Sequence, residues 1–239
     1  MINRKARLQE HFIGFLSKMK CFKPCFLFLL VVLSLSIVFH FLSEFLPDVK
    51  QFLAASLSSP WGVVTSIFIH ENISHLINNM QAMVMFTLFF VFSNMYIDEE
   101  NIKRRVSFFV AVAVFAAIFS NVLWITIRPD ILTIGASGVV YSTIGITFGF
   151  SMINFTRYSI NLPTIKRTWK QLPKKDRVVF FIFYVVNALI FLYTLFFALL
   201  FTPEFLNKGP KVNVFVHGIS FYTSLLLCVI SSILMLRRR

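Results

Sequence analysis

Six runs of apolar residues, each long enough to cross a bilayer, constrain this chain more than any other feature. They cover about 25–43, 62–93, 106–127, 134–155, 178–201 and 212–236. A spanning helix needs about 20 such residues, and in hydrocarbon every backbone polar group must bond within its own segment. The second run is longer than that, so part of it is expected to tilt, lie in the interface or form a loop. Hydrophobic residues make up 57% of the 239, and charged residues only 14%, against roughly 25% charged in ordinary globular domains. A soluble fold of this size has no interior large enough for that apolar content. A soluble enzyme, a disordered tail and a secreted disulfide scaffold are therefore excluded. The expected fold is an all-α membrane protein, one six-transmembrane-helix bundle over residues 25–239, preceded by a basic segment over 1–24.

Charge position sets the expected topology. Lys and Arg number 23 against 10 Asp and Glu, a net charge of +13. A nucleic-acid binder would gather such charge on a solvated face, but here it flanks the apolar runs. Nineteen of the 23 basic residues fall in the N-terminal segment, the loops after the second and fourth runs, and the C-terminus. The other side keeps Lys50, Arg128, Lys208 and Lys211. By the positive-inside bias, both termini are expected to be cytoplasmic, and no nucleic-acid partner is implied. Residues 4–20 place Leu8, Phe12, Phe15, Leu16 and Met19 on one helical face between basic residues, which suits either a helix on the inner leaflet or a basic tail. No small-residue cleavage site marks a signal peptide. Cys21, Cys25 and Cys228 all fall toward the cytoplasmic side, where structural disulfides are not expected.

Against this background the polar residues at membrane depth are the candidates for chemistry. FIHENISHLINNM opens the second run with His70, His75, Asn78 and Asn79. TIGASGVVYSTIG opens the fourth with Ser137, Tyr141 and Ser142, and VNVFVHGISFYTS opens the sixth with His217 and Ser220. The charge-derived topology runs these three spans from outside inward, so their clusters meet in the outer half of the bilayer. The fifth run offers only the scattered Tyr184, Asn187, Tyr193 and Thr194.

Taken alone, a membrane serine more often bonds its own backbone or glues helices, and a lone histidine more often bonds a neighbouring helix. Ser137, however, lies within Gly135-Ala136-Ser137-Gly138 at a helix start, where backbone N–H groups lack intrahelical partners. The small neighbours Gly135 and Gly138 leave room for a substrate backbone. Together Ser137 and His217 supply a nucleophile and a base at matching depth, the minimum for covalent hydrolysis. No carboxylate lies deep beside His217 to complete a triad.

Tyr141, four residues after Ser137, shares its helical face and is placed to orient His217 by stacking; the plain alternative is an aromatic filling the core. His75 and Asn79 also share a face. With the Ser137 N–H they supply donors for a developing oxyanion, or else interhelical bonds that hold the bundle. On a continuous helix His70 is rotated by about 140° from His75, which reads as a structural residue fastening the first outer loop. His70-Glu71-x-x-x-His75 is one residue longer than the zinc signature H-E-x-x-H, so its histidines do not share a face for one metal. No deep acid offers a third ligand, and neither a metal nor any other cofactor is expected.

At these residues the chain resembles the rhomboid family of intramembrane serine proteases. The resemblance covers the six-helix core from about residue 25 onward and rests on three motifs in order. PWGVVTSIFIHENISHLINNM is similar to the family's second-helix signature, with His70, His75 and Asn79 at the H-x4-H-x3-N spacing. GASGVVYS matches its Gly-x-Ser-Gly motif, with Ser137 as nucleophile and the associated tyrosine at 141, and His217 stands where the last helix supplies the base. The resemblance implies a Ser137–His217 dyad, with His75, Asn79 and backbone N–H groups at the oxyanion. It implies cleavage of transmembrane protein substrates near the outer face, at small residues with helix-weakening neighbours. Entry is then lateral, past the fifth span and the 202–212 loop with its Gly209-Pro210. Two features depart from the family: residues 44–60 lack its Trp-Arg pair, and Ser220 and Ser224 stand where the last helix usually repeats Gly. The compact six-helix form points to a bacterial or archaeal plasma membrane, with the active site on the extracytoplasmic side. The competing classes are a catalytically silent relative that binds or escorts membrane proteins, expected to lack part of the dyad, and a small transporter, expected to line its deep spans with ionisable residues. The chain keeps both dyad residues and shows no such deep ionisable group.

Overall fold

The computed structural model describes residues 17–168, 173–200 and 213–237. Its helices are α1 (Lys23–Phe45), the short α2 (Pro47–Leu53) and α3 (Gly62–Thr65), then α4 (Ile73–Asn94), α5 (Glu99–Ile127), α6 (Ser137–Thr168), α7 (Lys174–Leu200) and α8 (Val214–Arg237). Among the described residues six of them, α1 and α4 to α8, are long and apolar enough to cross a membrane. The six-helix bundle expected from the apolar runs is therefore the fold. The interfacial helix read at 4–20 falls almost wholly outside the described residues, and so does the 202–212 loop.

The overlong second run resolves into pieces. Its first part forms α3, a 3-10 turn at Ser66–Phe68 and an extended stretch through Ile69, and only then does α4 begin. The break falls at Asn72, whose side chain accepts from the His75 N–H at 2.8 Å and so caps the new helix. His70 therefore precedes the helix, and its expected rotation relative to His75 does not apply. Similarly, Asp98 caps α5 by accepting from the Asn101 N–H at 3.0 Å, with Glu99 and Glu100 in the first turn. Acidic side chains at a helix N-terminus are favoured by its dipole, so this span starts seven residues earlier than its apolar run.

α6 is the central helix. About 83% of its spanning window is buried, against 22% for that of α7. Its small residues explain the difference, because Gly138, Gly145 and Gly149 let neighbouring backbones approach closely. A Cβ at Gly138 would lie 3.4 Å from Ser220 Oγ, one at Gly145 would overlap Ser224 Oγ, and one at Gly149 would lie 2.8 Å from Cys228 Sγ. Both positions advance together, so α6 and α8 run parallel. The Ser220 and Ser224 hydroxyls fill the places where glycine was the alternative. α4 also runs parallel to α6: Asn79 lies beside Gly135 at one end and Ser93 bonds Ser151 at 3.1 Å toward the other. The starts of α4, α6 and α8 are consequently at one level.

At the opposite level sits a polar network of Arg105, which the sequence reading placed in a loop, Asn187, which it counted as scattered, and Ser93, Asn94 and Asn154, which it did not single out. Arg105, read as a loop residue, lies inside α5 and is only 5% exposed. Its Nη1 donates to Asn94 Oδ1 at 2.6 Å and to Asn154 Oδ1 at 2.9 Å, and its guanidinium stands over the Phe150 ring. Asn154 Nδ2 donates in turn to the Ser93 carbonyl at 2.8 Å, and Ser93 Oγ to Asn187 Oδ1 at 2.6 Å. Asn187 thus ties the peripheral α7 to the core. The loop reading of Arg105 is thus corrected: it stands in the second turn of α5 and is buried because neutral oxygens and a ring face satisfy it.

Candidate active site

The segment that leads into Ser137 is held backbone to backbone. Thr133 and Ala55 form an isolated antiparallel bridge, with N···O distances of 3.0 and 3.1 Å. The Gly135 N–H donates to the Ser66 carbonyl at 2.9 Å, and the Ala136 N–H to His70 Nε2 at 3.4 Å. Gly135 has φ +116°, where a side chain is strained, and a Cβ there would come within 2.9 Å of the His75 ring. Only glycine fits, and its absence of side chain brings the α4 imidazole against the backbone just before the serine.

His70 is fully buried and belongs to this support; it does not line the cavity. Because Nε2 accepts from Ala136, the neutral ring carries its proton on Nδ1. Burial, with His75 beside it, pushes its pKa down to about 3, which preserves the accepting nitrogen at neutral pH. Its ring packs edge to face on His75, with centroids 5.3 Å apart. His70 therefore fastens the stretch that carries Ser137, where the sequence reading had it fastening the first outer loop.

His217 sits in the first turn of α8. Asn213 caps that helix by accepting from the Val216 N–H at 3.1 Å, and its amide donates to Thr133 Oγ1 at 3.2 Å. One residue thus ties the helix bearing His217 to the strand-like stretch before Ser137. Tyr141 stacks on the His217 imidazole, ring centroids 4.2 Å apart and planes 14° from parallel. The tyrosine is one turn beyond Ser137 on the same face of α6, so the stack brings the imidazole to the serine's side of that helix.

Ser137, Tyr141, His217, His75 and Asn79 all line one cavity of about 780 Å³. Glu71, Asn72, Ser74 and Asn78 form a polar rim where α4 begins, while Ala82, Val140 and Ile144 line it farther along the helices. Asn79 Nδ2 lies close to Gly135 and is buried with no hydrogen-bond partner among the described residues. A nucleophilic hydroxyl, an imidazole, and a donor beside the backbone of the serine are the groups that acyl transfer requires. Gly138 faces away, against Ala117 and Ser220, and acts by letting α6 and α8 close up.

Three residues of the site escaped the sequence reading. Asn72 was legible as a cap, since Asn directly before an apolar helical run is a start signal. Asn213 was legible in the same way before Val214. Trp124, also at the cavity wall, packs near Phe215 with centroids 5.8 Å apart; nothing in its sequence context marks it.

A family model described as Rhomboid domain matches residues 57–233. The match takes in every residue that lines the cavity and leaves α1 and α2 outside. No curated protein and no solved structure matches the chain.

Proposed function

Because the chain belongs to the rhomboid family, we propose that it is an intramembrane serine endopeptidase that cleaves transmembrane segments of other membrane proteins near the outer face. The observation that carries the reading is the single cavity shared by Ser137 and by a His217 stacked on Tyr141. In this mechanism Ser137 Oγ attacks the scissile carbonyl carbon while His217 takes the hydroxyl proton. The carbonyl oxygen becomes an oxyanion and receives hydrogen bonds from the Ser137 N–H, Asn79 Nδ2 and the His75 ring. The C–N bond then breaks, and His217 returns its proton to the leaving amine. A water attacks the acyl-serine with His217 again as base, releasing the carboxylate and restoring Ser137. Stacking on Tyr141 holds the imidazole plane through both proton transfers.

A transmembrane substrate must unwind to expose its peptide bond, because a helical carbonyl is already bonded within its own segment. Its route is lateral, past α7, the least buried span. The charge distribution supports cytoplasmic termini and a cavity opening on the extracytoplasmic side of a cell membrane. The test is cleavage of a model transmembrane substrate in liposomes by the parent, Ser137→Ala and His217→Ala. Both variants should lose cleavage while keeping the parent's stability in detergent. Undiminished cleavage by Ser137→Ala overturns the mechanism.

A further inference from the structure

Beside the Ser137 cavity lies a smaller one of about 350 Å³, bounded by Asp48, Gln51, Ser56, Ser58, Ser59 and Leu132 among others. Leu132 lines both, so the two cavities are neighbours across one side chain. Their separation is fixed by hydrogen bonds. The Ala55–Thr133 bridge ties the loop bearing the serines to the stretch before Ser137, and Trp61 Nε1 donates to the Phe52 carbonyl at 2.8 Å within that loop.

The charges nearby are unequally committed. Lys50, two residues from Asp48, gives its ammonium to the Glu71 carbonyl at 2.9 Å. Arg128 stands 3.7 Å from Asp130. The Asp48 carboxylate makes no ion pair among the described residues. Around it the lining is neutral: Ser56 and Ser58 share a hydrogen bond of 2.9 Å, and the Ser59 N–H donates to Ser56 Oγ at 3.1 Å. Asp48 is exposed at the cavity mouth, in the first turn of α2, and a solvent-facing carboxylate without an ion pair, beside hydroxyls and an amide, fits the ammonium or guanidinium of a long side chain.

We infer that this cavity is a subsite for a Lys or Arg side chain of the substrate, in the stretch outside the membrane next to the scissile bond. Asp48 sets the preference. The inference rests on the protease reading, since the occupant reaches the subsite by lying across Leu132 while its peptide bond is at Ser137. An extended chain advances about 3.3 Å per residue, so a fixed separation of the cavities selects a particular position for the cation.

The experiment is a position scan. One Lys, or one Glu as its counterpart, is moved residue by residue along the extramembrane stretch of a model substrate, and kcat/KM is measured in liposomes. With the parent, the Lys-to-Glu ratio should peak at one position and reach up to about fivefold, the most that an exposed charge pair usually gives. Asp48→Asn should bring that peak close to unity, and Asp48→Lys should invert it. A ratio without a positional peak, or a peak unchanged in both variants, overturns the subsite. Ser137→Ala is run with every substrate. Cleavage that survives it overturns the protease reading, whereas Ser137-dependent cleavage with an unchanged ratio overturns the subsite alone.

Discussion

Replacing Gly145 by Ala tests whether the contact between α6 and α8 is as close as the site requires. The added Cβ would overlap Ser224 Oγ and lie 2.5 Å from the Phe221 carbonyl oxygen. The hydroxyl can rotate away, but the carbonyl belongs to the α8 backbone and moves only with the helix. Restoring an ordinary contact of about 3.4–4.0 Å means parting the helices by about 0.9–1.5 Å, an overpacking change that typically costs about 1–3 kcal/mol. The same shift carries His217 away from Ser137, and a displacement near 1 Å can cost about a hundredfold in rate. Gly149→Ala is the control, because its Cβ meets mainly side-chain atoms, Cys228 Sγ at 2.8 Å and Leu225 Cδ1 at 3.3 Å. Stability is read from thermal unfolding in one detergent, and activity from cleavage in liposomes. Cys228→Ala removes the nearest atom but leaves Cys228 Cβ at 3.0 Å, so it should recover part of the stability lost in Gly149→Ala, while Ser224→Ala should recover little of that lost in Gly145→Ala. A Gly145→Ala protein as stable and active as the parent, or one fully rescued by Ser224→Ala, would refute the backbone contact.

Asn79→Ala should lower kcat by about 10²–10³-fold with a smaller change in KM, as removal of an oxyanion donor does; steady-state cleavage kinetics decide it, and an equal loss confined to KM would reassign Asn79 to ground-state binding. Asn154→Leu leaves the Arg105 guanidinium and Asn187 each short of a partner, so thermal unfolding should show a loss of about 1–3 kcal/mol. Parent-like stability in that variant would mean that the buried network contributes nothing net.

The spans were legible because hydrocarbon imposes a length and a composition that any reading of the chain detects. Their boundaries were less so. Hydropathy reports what sits in lipid, and the first two turns of α5, Glu99 to Arg105, are helical yet charged. The convergence of the polar clusters at the starts of α4, α6 and α8 followed from the alternating direction of the spans, and the parallel contacts between those helices agree with it. His70 was misplaced because a continuous helix was assumed through Asn72, although that residue is itself a stop-and-start signal. The Arg105 network was not legible at all. Asn94, Asn154 and Asn187 are separated by tens of residues, and no periodicity relates them; only packing of α4, α5, α6 and α7 brings Asn94 and Asn154 to the Arg105 guanidinium and Asn187 to Asn154.

Arg105 also bears on the topology argument, because the positive-inside bias concerns cations that face headgroups. Removing it from the count leaves eighteen basic residues on one side against four on the other, so the asymmetry does not depend on it. Its neighbours show what separates structural polarity from chemistry in a bilayer. In the Arg105 network each amide and hydroxyl is engaged by another helix, which is how buried polar groups hold a membrane bundle together. Some buried atoms elsewhere lack partners, among them Ser36 Oγ and Thr87 Oγ1, but they belong to residues outside the large cavity. Among the described residues, only Asn79 and Trp124 combine an unpartnered buried donor with a place in the wall around Ser137 and His217. An unmet donor in a low-dielectric interior costs about 1–3 kcal/mol, and a developing oxyanion at the Ser137 end of α6 is the partner that would recover it.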